Sequence, residues 1–164
     1  MTNDLSEFEK ALSLRHALAT LAYRAAKPLR NVPADFLNFR PAEGSRSAGE
    51  ILAHLGDLME WALTQARGQE RWRAVQPASW DLDSQRFFAA LAKLDEYLAS
   101  DESLYAPAEK IFQGAIADAL THVGQIAMLR RLANAAVRAE NYSVAKIEAG
   151  NTGPDQCAPV SEFD

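Results

Sequence analysis

A single cysteine, Cys157, in 164 residues excludes an internal disulfide and a cysteine-rich zinc knuckle. Its place in a tail carrying Gly and Pro argues against a buried nucleophile, and no local nucleophile motif surrounds it. No run approaches the roughly 20 apolar residues of a membrane span. Asp4 and Glu7 precede any long apolar segment, unlike a secretory leader, so the expected location is the cytoplasm. Positive charge is also scarce: 17 Lys and Arg stand against 22 Asp and Glu, a formal net charge of -5. The basic clusters Arg67-Gly-Gln-Glu-Arg71-Trp-Arg73 and Arg130-Arg131 do not extend into a tract. A reader of nucleic-acid phosphates or of an anionic membrane is therefore not expected. Neither a Gly-x-Gly-x-x-Gly dinucleotide signature nor a Gly-x-x-x-x-Gly-Lys-Ser/Thr phosphate loop is present.

What is there is apolar residues at helical spacing, 48% hydrophobic overall, in a length that suits one domain with one substantial core. A first helix is expected from about Leu5 to Lys27, opened by the capping box Ser6-x-x-Glu9 and stopped at Lys27-Pro28. Leu5, Phe8, Leu12, Ala19 and Ala22 form one apolar stripe on it, and Leu14, Leu18, Leu21 and Ala25 a second, so it should meet more than one neighbour. A second helix begins at the capping box Ser47-x-x-Glu50, buries Ile51, Leu55, Leu58 and Ala62, and ends at Gly68. A third runs from Asp83 to Ala99 on Phe87, Phe88, Leu91, Leu94 and Leu98. The fourth opens near Pro107, is interrupted at Gly114, and continues to about Arg138.

The loops between helices are long and aromatic. Phe36, Leu37 and Phe39 should cover a bundle end, and Trp72 and Trp80 mark residues 69 to 82 as a packed loop. Residues 1–150, including a short returning strap after the fourth helix, are expected as one domain, and residues 151–164 as a flexible tail.

The chemistry-bearing residues are few. On a helix, Asp118 and His122 lie about 400° apart and share a face, and that face carries the small residues Ala115, Ala119, Ala133 and Ala136. His54 lies beside the apolar stripe of the second helix. Two imidazoles and a carboxylate from two packed helices suit a divalent transition metal such as zinc or nickel, with water completing the shell. His54, Asp118 and His122 are thus the candidate metal ligands and catalytic residues. A plainer reading has Asp118 orienting a core histidine through a hydrogen bond. Glu50 has a simpler role at its helix N-terminus than as a ligand, and His16, with no acidic residue one turn away, reads as an edge residue. Arg130-Arg131 reads as a solvated pair. The triad is expected to surround one cavity open toward Phe36, Phe39, Trp72 and Trp80.

Gly44-Ser-Arg-Ser-Ala-Gly-Glu-Ile-Leu-Ala-His54-Leu and Asp118-Ala-Leu-Thr-His122-Val-Gly-Gln125 together resemble the DinB-like superfamily, which includes DNA-damage-inducible and YfiT-like proteins. The resemblance implies an all-α, up-down-down-up four-helix bundle, often a homodimer, with a metal held by three histidines. His54 and His122 match the first and last of these, and Asp118 stands where a histidine is common. The resemblance further implies a metal-dependent thiol transferase acting on a small molecule with a low-molecular-weight thiol as cosubstrate. The alternatives are a metal-dependent hydrolase with the same three ligands, and a non-enzymatic stress-response or interaction protein whose polar centre serves packing.

Overall fold

The computed structural model describes residues 6–163, with the side chains of residues 7 and 8 excepted. Leu5 and the Phe8 side chain, expected in the first stripe, lie outside what is described, as does Asp164 of the tail. Four helices pack as a bundle: α1 (Glu7–Leu29), α2 (Ala48–Ala66), α3 (Trp80–Ala99) and α4. The last opens as one α-helical turn, Ala108–Ile111, passes through a π-helical turn, Phe112–Ile116, and continues as α-helix over Ala117–Leu132. Short 3-10 turns, Phe36–Asn38 and Tyr142–Val144, sit in the connections.

Helix starts follow local chemistry. Ser6 and Glu9 form the expected capping box, as do Ser47 and Glu50, where the Ser47 amide donates to Glu50 Oε2 over 2.6 Å. Helix α3 begins three residues earlier than expected, because the Ser79 hydroxyl takes the Leu82 amide and Asp83 reaches back to accept from the Ala78 amide. The ends differ more. Pro28 lies inside the last turn of α1 and does not stop the helix before it. Helix α4 ends at Leu132, six residues short of Arg138, since Asn134 adopts φ 55° and closes a left-handed cap. There the Asn134 amide donates to Arg131 O and the Ala135 amide to Arg130 O, the pairing that satisfies a helix's last carbonyls.

The helix directions can be read from contacts between their ends. Trp80 donates its indole N–H to Leu29 O, and Arg15 pairs with Asp95, so α3 runs antiparallel to α1. The Tyr105 amide, just beyond α3, donates to Ala66 O at the end of α2, so α2 and α3 run the same way. Arg130 near the end of α4 reaches the carbonyls of Pro28 and Arg30 at the end of α1, so those two helices are parallel. The topology is up-down-down-up.

The core joins faces of all four helices. Leu14, Leu18, Leu21 and Ala25 of α1 are buried, and so are Ala19 and Ala22, whereas Leu12 at the amino-terminal end of the first stripe is 46% exposed. Every apolar residue expected to pack from α2 and α3 is buried, and Ala115, Ala119, Ile126 and Leu129 are the buried side of α4. Between α2 and α3, Arg86 pairs with Asp57 and Glu60 and also donates to Ala53 O, so a buried carboxylate has its counter-charge. Past α4 the chain returns across α1: Glu140 accepts from Tyr23 Oη, Glu162 pairs with Lys27, and the Phe163 amide donates to Ala139 O. No helix among the described residues is long and apolar enough to cross a membrane.

Candidate metal centre

His54 sits in the second turn of α2, and Asp118 and His122 sit on successive turns of α4. Packing of these helices brings the three side chains together. His54 Nε2 lies 3.6 Å from Asp118 Oδ2, and His122 Nε2 lies 3.5 Å from the same oxygen. One ligand atom from each residue falls within 4.8 Å of the others. Ligands arranged tetrahedrally at about 2.1 Å from an ion are about 3.4 Å apart, close to both His–Asp separations. The donor set therefore fits a divalent transition metal: two borderline nitrogens and one hard oxygen. Three protein ligands leave at least one coordination position for a reactant.

The surroundings prepare the rings for that role. His122 Nδ1 lies 2.7 Å from Gln125 Oε1. With the ring N–H donating there, the lone pair of neutral His122 is on Nε2, the atom that faces Asp118. The two imidazoles stand edge to face, 4.8 Å between centroids and 85° between planes. Burial, then His122 and Arg46, push the His54 pKa below its usual 6.5, with Asp118 opposing them. A neutral imidazole is the form that binds metal. The histidine side chains are 17% and 12% exposed and Asp118 47%, so the cluster is reached from the carboxylate side.

One wall of the site is aromatic. Trp72 meets His54 edge to face at 5.5 Å, and Trp61 meets Trp72 at 5.7 Å while donating its indole N–H to Glu70. The loop after α2 thereby contributes to the site. On the other flank, a cavity of about 470 Å³ lies against His122, lined also by Pro41, Ser45, Arg46, Ile51, Gln125 and Leu129. Of the four loop aromatics expected around the opening, Trp72 is the one in ring contact with the triad among the described residues. Phe36 stacks on Phe39 and meets Trp80 at 5.1 Å, closing the end of α1.

Sequence reasoning places other residues correctly or misses them for identifiable reasons. Glu50 is occupied by its capping box and by Arg40 at 2.7 Å, and it is not in the cluster. His16 is exposed on α1. Arg130 departs from the expected solvated pair: it is 6% exposed, and its guanidinium binds the carbonyls of Pro28, Arg30, Asn31 and Ala135. The role of Gln125 was missed; three residues after His122, it had the spacing of a helical neighbour. Arg46 carries no ligand spacing of its own; it precedes the Ser47 cap, and the start of α2 sets its place.

No protein-family model, no curated protein and no solved structure matches the chain.

Proposed function

We propose that the protein is a metal-dependent enzyme of the DinB-like type, with His54, Asp118 and His122 as ligands, that activates a low-molecular-weight thiol for transfer to a small electrophile. The observation that carries the reading is the convergence of two imidazole nitrogens on one carboxylate oxygen at 3.6 and 3.5 Å, beside an open cavity. When bound, the ion supplies Lewis-acid stabilisation of a deprotonated nucleophile. Asp118 contributes the anionic ligand, and Gln125 holds the His122 ring in the tautomer that leaves Nε2 free. Trp72 and Trp61 shield the His54 side from water. The only cysteine, Cys157, is exposed in the tail, where it lines a separate cavity with Tyr23 and Glu140, so the attacking sulfur would come from a cosubstrate.

The test loads the protein with zinc and, separately, nickel, measures bound metal by elemental analysis, and repeats this for His54→Ala and His122→Ala. Near-stoichiometric metal in the wild type, lost in both variants that still show helical circular dichroism, is the expected result. Metal-dependent reaction of 2-mercaptoethanol or cysteine with an activated aryl halide then supports the transferase. Hydrolysis of p-nitrophenyl acetate without any thiol reaction would replace it with a hydrolase. Absence of metal uptake, with folding unchanged in both variants, would leave the triad as a packing feature of a non-enzymatic protein.

A further inference from the structure

The cavity against His122 has a composition that selects its occupant. Its lining holds one full positive charge, Arg46, and no carboxylate; the other polar groups are Ser45, Gln125 and the His122 ring. Ile51, Leu129 and Pro41 make the rest apolar. Among the described residues Arg46 makes no hydrogen bond or ion pair, although its neighbours in the same loop do. Arg40, six residues earlier, is engaged by Glu50 and by the Ser45 carbonyl.

The charge balance sharpens the point, and this step rests on the metal reading above. A divalent ion on two neutral imidazoles and one carboxylate keeps an uncompensated positive charge, and the unpaired guanidinium adds another next to it. A partly enclosed site with this balance attracts an anion, and the planar guanidinium fork matches a carboxylate.

We infer that this cavity is the substrate pocket and that it takes a carboxylate-bearing small molecule, with the carboxylate on Arg46 and an apolar body lying against Ile51, Leu129 and Pro41. Arg46 is then a specificity-determining residue of the metal site. Arg46 is exposed at the rim of the cavity, so discrimination comes from the charge-assisted, two-pronged hydrogen bond that a carboxylate makes with the guanidinium and a neutral isostere does not.

Hexanoate and its neutral counterpart hexanamide are suitable probes, titrated calorimetrically into metal-free and zinc-loaded protein. Hexanoate should bind the wild type, and Arg46→Met should weaken it by about tenfold or more while leaving hexanamide binding, zinc stoichiometry and melting temperature unchanged. Lys93→Met, which removes a positive charge from the exposed side of α3, should leave hexanoate binding as in the wild type. Equal hexanoate affinity in the wild type and Arg46→Met, or equal affinity of wild type for acid and amide, overturns the inference. The two readings fail separately. If the wild type takes up no zinc, the metal reading falls, and titration of the metal-free protein still decides the pocket: Arg46-dependent hexanoate binding supports it, and its absence overturns it.

Discussion

Gln125 shows how much a side chain outside the His–Asp–His set can contribute through the ring it touches. Its amide oxygen lies 2.7 Å from His122 Nδ1 and accepts from it in the tautomer that the proposed metal role requires, so Gln125→Leu should free the ring and lower metal affinity by about 10-fold to 100-fold. Competition with a chelating dye would measure this; an unchanged affinity would mean that His122 is oriented by packing alone. Tyr23 offers a second residue-scale outcome away from the site. Burial raises its pKa to about 12, aided by the hydrogen bond to Glu140. The folded state therefore holds the phenolic proton more tightly than the unfolded chain, whose value is near 10. The resulting stability is complete below pH 10 and is lost as pH rises from there toward 12. Denaturant midpoints across that range should fall in the wild type and fall less steeply in Tyr23→Phe. Asp118 and His122 were legible at this scale because their four-residue spacing is fixed by helix geometry.

The helices were legible wherever a local signal was strong. Two capping boxes stand at Ser6 and Ser47, and the stripes of α2 and α3 are buried as their spacing predicts. Helix ends were harder to read, since Asn134 closes α4 by adopting a left-handed conformation that its sequence neighbours do not demand. The π-helical turn at Phe112–Ile116 lies where Gly114 was expected to interrupt the helix, but hydrogen bonding continues through it. Glycines distinguish the elements in a testable way. A Cβ on Gly49 would lie 2.5 Å from Leu37 Cδ1 and 2.8 Å from Leu37 O, where the start of α2 seats on the preceding loop. Gly49→Ala should cost about 1–3 kcal/mol. Gly124, inside α4, has nothing within 4 Å of the place a Cβ would occupy and should behave oppositely. Gly124→Ala should add about 0.5–1 kcal/mol. Urea unfolding of the two variants gives the comparison, and stabilisation by Gly49→Ala would contradict the close packing at that seat.

Across the whole molecule, Arg130 joins the ends of two helices. Its guanidinium donates to carbonyls at the end of α1 and in the turn beyond α4, and the bond to Pro28 O is buried, where a carbonyl left without a donor is costly. Replacement by methionine keeps the length and apolar stem but strands those carbonyls. Arg130→Met should lose about 3 kcal/mol and lower the melting temperature by roughly 6–12 °C, with metal uptake unchanged. A melting temperature within a degree of wild type would show that solvent satisfies those carbonyls. The parallel run of α2 and α3 matters to the site, because the connection from Ala66 to Trp80 must travel back along the bundle. That return carries Trp72 past His54 and brings Trp80 to Phe36 and Phe39 at the end of α1.

By itself the sequence determined the helices, their buried faces and the i, i+4 pairing of Asp118 with His122, because each of these follows from hydrogen bonding and hydrophobic spacing within a few turns of chain. Tertiary structure decided the rest. The distance between residues 54 and 118, the inward turn of Arg130 onto the end of α1 and the delivery of Trp72 to the triad depend on how helices pack and where a long loop comes to rest, and no short-range interaction encodes either.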